Sequence, residues 1–301
     1  MNSILMIFID GVGIGKRDKE FNPFFKFGFN TFQTLFGEIP SLDNPFLVRD
    51  RKYLFPLDAN LDMNGLPQSG TGQASLFCGF NAAKFIGKHF GPFPYTTTLP
   101  KIKEDHILVH FHNQRGSSFF ANAYPKPFFD YLKSGRERLG VTAASCRMND
   151  VKFNTVTNVR NGTALTAEII NNRWNERLNY TLPQIRPQTA ARRLLRISEK
   201  YKFTLYEFYF LDHLGHLRIK DEFNVIYNTL DLFLFTVLTE FDYKKTTIVI
   251  CSDHGNFEDL SIKTHTRNPS LTITAGKYGE EIFNSAKSIK DIKTAIVKNC
   301  R

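Results

Sequence analysis

Residues 246–258, TTIVICSDHGNFE, give the clearest indication of the fold. The first six are apolar or β-branched, as in a strand that is buried on both faces of a sheet. The run leads directly into Asp253 and His254, so the predicted strand ends in a carboxylate and an imidazole. In open α/β sheets, ligands bind outside the carboxyl ends of the strands. The stretch therefore predicts a ligand site at one edge of an α/β sheet.

Two other stretches repeat this arrangement. Residues 4–13 read ILMIFIDGVG, and residues 204–216 read TLYEFYFLDHLGH. Each contains an apolar run that is followed by a carboxylate, Asp10 in the first and Asp212 in the second. Because parallel strands end at the same edge of a sheet, the three carboxylates are expected to converge. Such a cluster repels itself unless a cation lies between its members.

Strand and helix signals alternate along the chain. We predict strands at residues 4–9, 204–211, 246–251 and 271–274, and helices at 188–202 and 221–241. This alternation favours an α/β fold with a mainly parallel sheet sandwiched by helices. No internal repeat is apparent.

Histidines close to the three carboxylates turn the acidic cluster into a predicted metal site. The candidate ligands are Asp10, Asp212, Asp253, His216, His254 and His265. Three Asp and three His are enough for two ions with three ligands each. Imidazole and carboxylate without thiolate suit Zn²⁺ or Mn²⁺ better than Mg²⁺, and two such ions can clamp a phosphoryl group. Turn and helix-cap roles explain any single motif but not the repetition of all three.

A nucleophile is expected opposite the metals. Residues 66–76, LPQSGTGQASL, place hydroxyl groups among small residues just before a run that is compatible with a helix. A Ser at a helix N-terminus lies beside free N–H groups and the positive end of the helix dipole, which favours a bound phosphate and an ionised oxygen. Ser69 is the first candidate and Thr71 the reserve.

The positive charge of the chain is concentrated in its middle. The 301 residues carry a net charge of +10, but residues 84–202 hold 20 Lys and Arg against eight Asp and Glu, whereas the rest hold 19 against 21. This pattern predicts an inserted basic domain that recognises an anionic partner. The alternative is a nucleic-acid-binding protein whose aromatic pairs, Phe119–Phe120 and Phe128–Phe129, stack on bases. No known nucleic-acid-binding motif supports it.

The cysteines and the first residues of the chain indicate in which cellular compartment the protein is expected. The four cysteines, Cys78, Cys146, Cys251 and Cys300, contain no C-x-x-C pair, which favours reduced thiols and a cytoplasmic protein. The apolar run at residues 4–9 is too short for a signal peptide, and no run is long enough for a membrane span.

Taken in order, these motifs resemble the alkaline phosphatase superfamily, and most closely its cofactor-independent phosphoglycerate mutase branch. The specific elements are Ser-Asp-His-Gly-Asn-x-Glu at residues 252–258 and Thr-His-Thr-x-Asn-Pro at residues 264–269. The resemblance covers residues 1–83 and about 190 to the end. It implies an alkaline phosphatase-like core formed by 1–83 and 188–301, with a smaller α+β cap inserted at 84–187.

The resemblance also implies roles for individual residues. One ion would be held by Asp10, Ser69, Asp253 and His254, and the other by Asp212, His216 and His265. Ser69 falls at the nucleophile of the mutases, in a turn whose final His is Gln73 here.

The implied activity is two-metal phosphoryl transfer to and from a small phosphorylated metabolite through a phosphoserine. Water as the acceptor makes a phosphatase, and a retained substrate makes a mutase; the sequence leaves both open. A phosphodiesterase of the same superfamily is a further alternative. A sulfatase is disfavoured because its Cys/Ser-x-Pro-x-Arg motif is missing.

Overall fold

The computed structural model describes residues 2–114, 117–136 and 138–299. Within them, one sheet is formed by β1 (Ser3–Ile9), β2 (Leu47–Arg49), β3 (Lys52–Leu57), β4 (Ser118–Phe120), β5 (Phe203–Phe208), β6 (Thr246–Cys251) and β7 (Ser270–Gly276).

The strand order is β2-β3-β7-β6-β1-β5-β4, with β1 in the centre. Strands β4, β5, β1 and β6 run parallel, whereas β7, β3 and β2 are joined by antiparallel pairing. The sheet is therefore mixed, and the prediction of a mainly parallel sheet is corrected. Strand β7 was predicted at 271–274, but β2 and β3 were missed because Pro56 and polar residues obscure the pattern of residues 47–57.

Helices cover both faces of this sheet. In the described residues they are α1 (Pro23–Phe27), α2 (Asn30–Phe36), α3 (Ser69–Cys78), α4 (Ala82–Ile86), α5 (Leu99–Asp105), α6 (Ile107–His112), α7 (Lys126–Lys133), α8 (Val141–Met148), α9 (Val156–Arg160), α10 (Asn172–Leu178), α11 (Pro187–Ser198), α12 (Phe210–Gly215), α13 (Phe223–Glu240), α14 (Gly279–Ser285) and α15 (Asp291–Asn299). Short 3₁₀ turns lie at Thr96–Thr98 and Lys220–Glu222.

Two apolar cores lie on opposite faces of the sheet. On one face, α2, α11 and α13 pack over residues such as Ile7 and Tyr206. On the other, α3, α5, α6, α8, α14 and α15 pack over Met6 and Leu205. Because both faces are covered, β1 is buried along its whole length, which is why its sequence is a continuous apolar run.

A separate cap is not shown for the middle segment, residues 84–187, in the part of the chain described. Its strand β4 pairs with β5 at the edge of the sheet, and its helices α5, α6 and α8 contribute to the second apolar core. Net charge did not reveal this, because surface charge is compatible with a segment whose apolar residues join the main core. The domain bounds at residues 84 and 187 stay a prediction.

The strand predicted at 204–211 ends earlier than expected. Strand β5 ends at Phe208, and the chain turns into α12, which carries Asp212 in its first turn. The helix predicted at 188–202 is α11, and the one at 221–241 is a 3₁₀ turn followed by α13.

Three of the cysteines, Cys78, Cys146 and Cys251, are free and buried, and Cys300 lies outside the described residues. None of the helices that the structure describes is both long and apolar enough to cross a membrane.

Candidate metal centre

Three neighbouring segments bring the predicted ligands to one edge of the sheet. Asp10 follows β1 directly, Asp253 and His254 follow β6, and Asp212 lies on α12 just beyond β5. Strand β1 lies between β5 and β6, so the three segments are adjacent. Their close approach requires a glycine at Gly11, which has a φ of +73° and whose Cβ would lie 2.8 Å from that of Asp212. The convergence predicted from the sequence is therefore present.

The inner group consists of Asp10, Asp253 and His254, all buried. His254 Nε2 lies 3.4 Å from Asp10 Oδ1 and 3.4 Å from Asp253 Oδ2. Asp10 Oδ1 and Asp253 Oδ2 are fully buried and have no hydrogen-bond partner in the described part of the chain. Buried carboxylate oxygens without a donor are costly unless a cation neutralises them.

The outer group consists of Asp212, His216 and His265. Asp212 Oδ1 lies 3.4 Å from the Nε2 of each histidine, and the two Nε2 atoms are 3.1 Å apart. A tetrahedral ion with bonds of about 2.0 Å separates its ligands by about 3.3 Å, so both groups have the spacing of a metal site. The carboxylate of Asp212 is also within reach of Asp10 and His254, which places it between the groups.

Backbone carbonyls fix the tautomer of the three histidines. The Nδ1 atoms of His216, His254 and His265 lie 2.7, 3.3 and 2.6 Å from the carbonyl oxygens of Lys263, Gly255 and Pro67. A carbonyl only accepts, so each Nδ1–H donates, and each Nε2 faces the cluster. The short Nε2–Nε2 distance between His216 and His265 then requires a proton or a metal ion between them.

The two groups differ in how the pKa values of their residues are shifted. Burial, together with the charge of Asp212, raises the pKa of Asp253 to about 7. Burial, together with the charge of Asp253, raises the pKa of Asp10 well above its usual range. Burial lowers the pKa of His254 to about 3. Burial thus disfavours the charged forms of Asp10, Asp253 and His254. A cation bound between them would stabilise the ionised carboxylates and the neutral imidazole.

In the outer group, the pKa values of the carboxyl group and of one histidine shift in the opposite directions. Burial works against the charge of Asp212, but the hydrogen bond from His265 and the charge of His254 outweigh it and hold its pKa below the usual range. Burial likewise lowers the pKa of His265, but the hydrogen bond to Asp212 reverses the effect and raises it. Without a metal ion these two residues thus form an ion pair.

Ser69 is the first residue of α3, and its hydroxyl joins the inner group. Ser69 Oγ lies 3.0 Å from His254 Nε2 and is buried. The reserve candidate Thr71 is placed differently, because its hydroxyl donates to the Gln68 carbonyl and accepts from Phe90 N–H. Of the two hydroxyls, Ser69 is therefore the one that lies at the cluster.

Side chains that were not among the predicted ligands orient the metal-binding residues. Asn256 Nδ2 donates to Asp212 Oδ1 at 2.7 Å, and Gln73 Nε2 donates to Asp10 Oδ2 at 3.1 Å. Glu258 accepts from Gly13 N–H, Asn256 N–H and the Thr266 hydroxyl, so it ties together the loops after β1 and β6. The signal for Asn256 and Glu258 was their place in the Ser-Asp-His-Gly-Asn-x-Glu motif.

Comparison with known proteins agrees with this geometry. The family model of the metalloenzyme superfamily matches residues 2–301. The chain belongs to the metalloenzyme superfamily. A search of curated protein sequences gives no significant match. The resemblance read from the motifs is confirmed.

Two solved structures share the fold of this metalloenzyme. The PH0037 protein from Pyrococcus horikoshii is 12% identical, with a TM-score of 0.55 over 99% of this chain and 97% of the other. The alkaline phosphatase from the Antarctic bacterium TAB5 is 12% identical, with a TM-score of 0.50 over 100% of this chain and 98% of the other. The metalloenzyme therefore has an alkaline phosphatase-like α/β fold.

The aromatic pairs on which the nucleic-acid alternative depended pack within the metalloenzyme. The ring of Phe119 stacks on Tyr201 with centroids 4.8 Å apart, and that of Phe128 stacks on Tyr124 at 3.9 Å. Phe120 is buried in the second apolar core. These rings are engaged in intramolecular stacking, which weakens the argument that they bind bases.

Proposed function

We propose that this metalloenzyme transfers a phosphoryl group from a small anionic phosphorylated metabolite through a phosphoserine at Ser69. The observation that carries the proposal is the position of Ser69 Oγ, 3.0 Å from His254 Nε2 in the inner group. A hydroxyl held at a buried cluster of metal-type ligands is the arrangement that activates a serine nucleophile.

The two groups of ligands suit two divalent ions. Asp10, Ser69, Asp253 and His254 would hold one, and Asp212, His216 and His265 the other. The orphaned oxygens of Asp10 and Asp253 and the three inward-facing Nε2 atoms fit this assignment. Oxygen and imidazole donors without thiolate favour Zn²⁺ or Mn²⁺. When bound, such ions supply positive charge that favours an ionised serine and neutralises the phosphoryl oxygens.

Ser69 is positioned for attack by the start of α3. The helix of ten residues begins at Ser69, so the positive end of its dipole lies at the nucleophile and favours its ionised form. In the proposed reaction, Ser69 Oγ forms a bond to phosphorus while the bond from phosphorus to the leaving oxygen breaks. The phosphoserine is then resolved by water, in a phosphatase, or by a second substrate hydroxyl, in a mutase.

The test compares Ser69→Ala and Asp212→Ala with the wild type after loading with Zn²⁺ or Mn²⁺, on a panel of phosphorylated sugars, glycerates and nucleotides. We expect metal-dependent turnover in the wild type and a loss of about 10³-fold or more in both variants. Thr71→Ala serves as the control and keeps most of the turnover, because its hydroxyl bonds to the backbone.

Unchanged turnover in Ser69→Ala would contradict the nucleophile assignment. Turnover of phosphodiesters in preference to monoesters would favour the phosphodiesterase alternative. Salt-dependent binding of generic DNA or RNA, with no metal-dependent turnover, would favour the nucleic-acid-binding alternative instead.

A further inference from the structure

A cavity of about 290 Å³ lies beside the metal centre and shares α12 with it. Asp212 on this helix belongs to the outer group, whereas Phe210 and His213 on the same helix line the cavity. The cavity is also lined by Tyr124, which follows β4, and by Tyr209, which follows β5. Strands β4, β5, β1 and β6 are parallel neighbours, so the cavity lies at the same edge of the sheet as Asp10 and Asp253. The cavity is therefore placed to receive the part of a substrate that extends beyond its phosphoryl group.

The walls of this cavity, here called the aromatic cavity, are flat and apolar. Four rings line it, those of Tyr124, Trp174, Tyr209 and Phe210. Aromatic faces suit ring-shaped ligands, which stack on them. Binding pockets for drug-sized molecules have volumes of about 300–1,000 Å³, so a cavity at the lower end of this range fits a single ring rather than a polymer.

The positive charges at the aromatic cavity are already neutralised. Arg173 and Arg177 both pair with Glu222, and the guanidinium of Arg173 lies 4.8 Å from the ring centre of Phe210. Glu168 adds a further negative charge, although it is engaged in accepting the backbone N–H groups of Arg173 and Trp174. Two guanidinium groups thus face two carboxylates, which leaves no excess positive charge for a second anionic group on the substrate.

Several polar side chains of the cavity can contact a ligand, among them those of Glu207, Tyr124 and Tyr209. Glu207 lines the aromatic cavity with a carboxyl group, and Tyr124 and Tyr209 line it with phenol groups. Neither phenol is hydrogen-bonded to a residue that the structure describes. A carboxylate accepts hydrogen bonds and a phenol both donates and accepts, so these groups match the hydroxyl groups of a neutral ligand.

We propose that the aromatic cavity binds the leaving alcohol of the substrate, and that this alcohol is an uncharged, hydroxyl-bearing single ring. The inference rests on the proposed function and narrows it to monoesters without a second anionic group. It reverses the expectation that the basic middle segment recognises a multiply anionic substrate. Arg173 and Arg177 come from that segment, yet both are paired with Glu222.

The test compares a hexose monophosphate with two probes, ethyl phosphate, which lacks the ring, and a hexose bisphosphate, which adds an anionic group. We expect the kcat/KM of the metal-loaded wild type to be about tenfold higher for the hexose monophosphate than for either probe. Tyr209→Ala should bring the ratio of kcat/KM for the hexose monophosphate to that for ethyl phosphate close to one. Tyr243→Ala is the matched control, because both tyrosines are exposed, by 40% and 47%, and Tyr243 precedes the opposite end of β6.

A second readout does not depend on turnover. Trp174 is the single tryptophan of the chain and lines the aromatic cavity, so its fluorescence reports binding there. We expect saturable quenching by the hexose monophosphate, weakened in Tyr209→Ala and in Glu207→Gln but not in Tyr243→Ala. Quenching of this kind without turnover of any probe would support the cavity and contradict the proposed function.

Equal kcat/KM values for all three probes together with an unchanged Trp174 signal would overturn the inference while leaving phosphoryl transfer intact. The inference is also overturned if Tyr209→Ala and Tyr243→Ala have the same effect. Absence of both turnover and quenching would contradict both proposals.

Discussion

The inner and outer groups of the metal centre are built from the same two kinds of side chain, yet they differ in how they satisfy their charges. The outer group forms an ion pair between Asp212 and His265, and Asn256 donates to the same carboxylate. The inner group leaves one oxygen each of Asp10 and Asp253 without a partner in the described residues. The charges of the outer group can therefore be neutralised by protons when no metal is bound, whereas the inner group needs a cation.

The largest expected effect comes from breaking the inner group. Asp253→Asn should lower metal-dependent turnover by about 10³-fold, because it removes a ligand from the ion that faces Ser69. The same change should stabilise the metal-free protein by about 1–3 kcal/mol, because a buried carboxylate with one unpartnered oxygen is replaced by a neutral amide. Activity assays and urea denaturation measure the two effects.

Asp259→Asn is the matched control, since Asp259 lies in the same loop and its carboxylate bonds only to Ser261 in the described structure. A destabilised metal-free Asp253→Asn would show that the inner group does not require a cation.

Metal binding should stabilise the wild type by about 2.7 kcal/mol when the free ion is at 100 times its dissociation constant. The stabilisation should fall more in Asp10→Asn than in His216→Gln. Asp10 belongs to the inner group, in which no ion pair neutralises the carboxylates when the metal is absent. Thermal unfolding with and without Zn²⁺ checks this order, and equal losses in the two variants would remove the distinction between the groups.

A smaller effect is expected from Asn256, which donates to the ligand Asp212. Asn256→Ala should weaken metal binding about 10- to 100-fold, because Asn256 orients Asp212, which lies between the two groups. Asn268→Ala is a matched control, because Asn268 donates to Glu258 and not to a ligand. Calorimetric titration measures both affinities, and a loss in Asn268→Ala as large as in Asn256→Ala would contradict the role of Asn256.

A separate, pH-dependent effect on stability concerns Glu207, outside both groups. Burial raises the pKa of Glu207 from 4.5 to about 7. A raised pKa in the folded state favours the protonated form, so the stability of the wild type relative to Glu207→Gln should be highest below pH 4.5. It should decrease as the pH rises through 7, by up to about 3 kcal/mol. Urea denaturation across this range tests it, and a difference that does not change with pH would place Glu207 in a solvated position.

Strands that are buried on both faces could be predicted from the sequence, as β1 and β6 show. Their continuous apolar runs are a consequence of helices on each side of the sheet. The helical location of Asp212 could not be predicted, because the apolar run continues past the end of β5 into α12. Strand β4 has three residues, and its pairing with β5 is a tertiary contact that no local pattern reveals.

The candidate ligands could be predicted because metal ions are bound by only a few residue types. These residues also follow three separate strands, which turn or helix-cap roles do not explain. Glu258 and Glu207 could not be assigned, for different reasons. Glu258 lies in the Ser-Asp-His-Gly-Asn-x-Glu motif, but its role depends on backbone N–H groups of two loops, Gly13 and Asn256, whose proximity the motif does not show. Glu207 sits in a strand whose other residues are apolar, and its role depends on a cavity formed by the middle segment.

The central claim is that the two groups form two ion sites of unequal dependence on metal. Equilibrium dialysis against Zn²⁺ or Mn²⁺, followed by elemental analysis, tests it most directly. We expect two ions per chain in the wild type, and one in Asp253→Asn with the outer site still filled. One ion or none in the wild type, or two ions in Asp253→Asn, would contradict it.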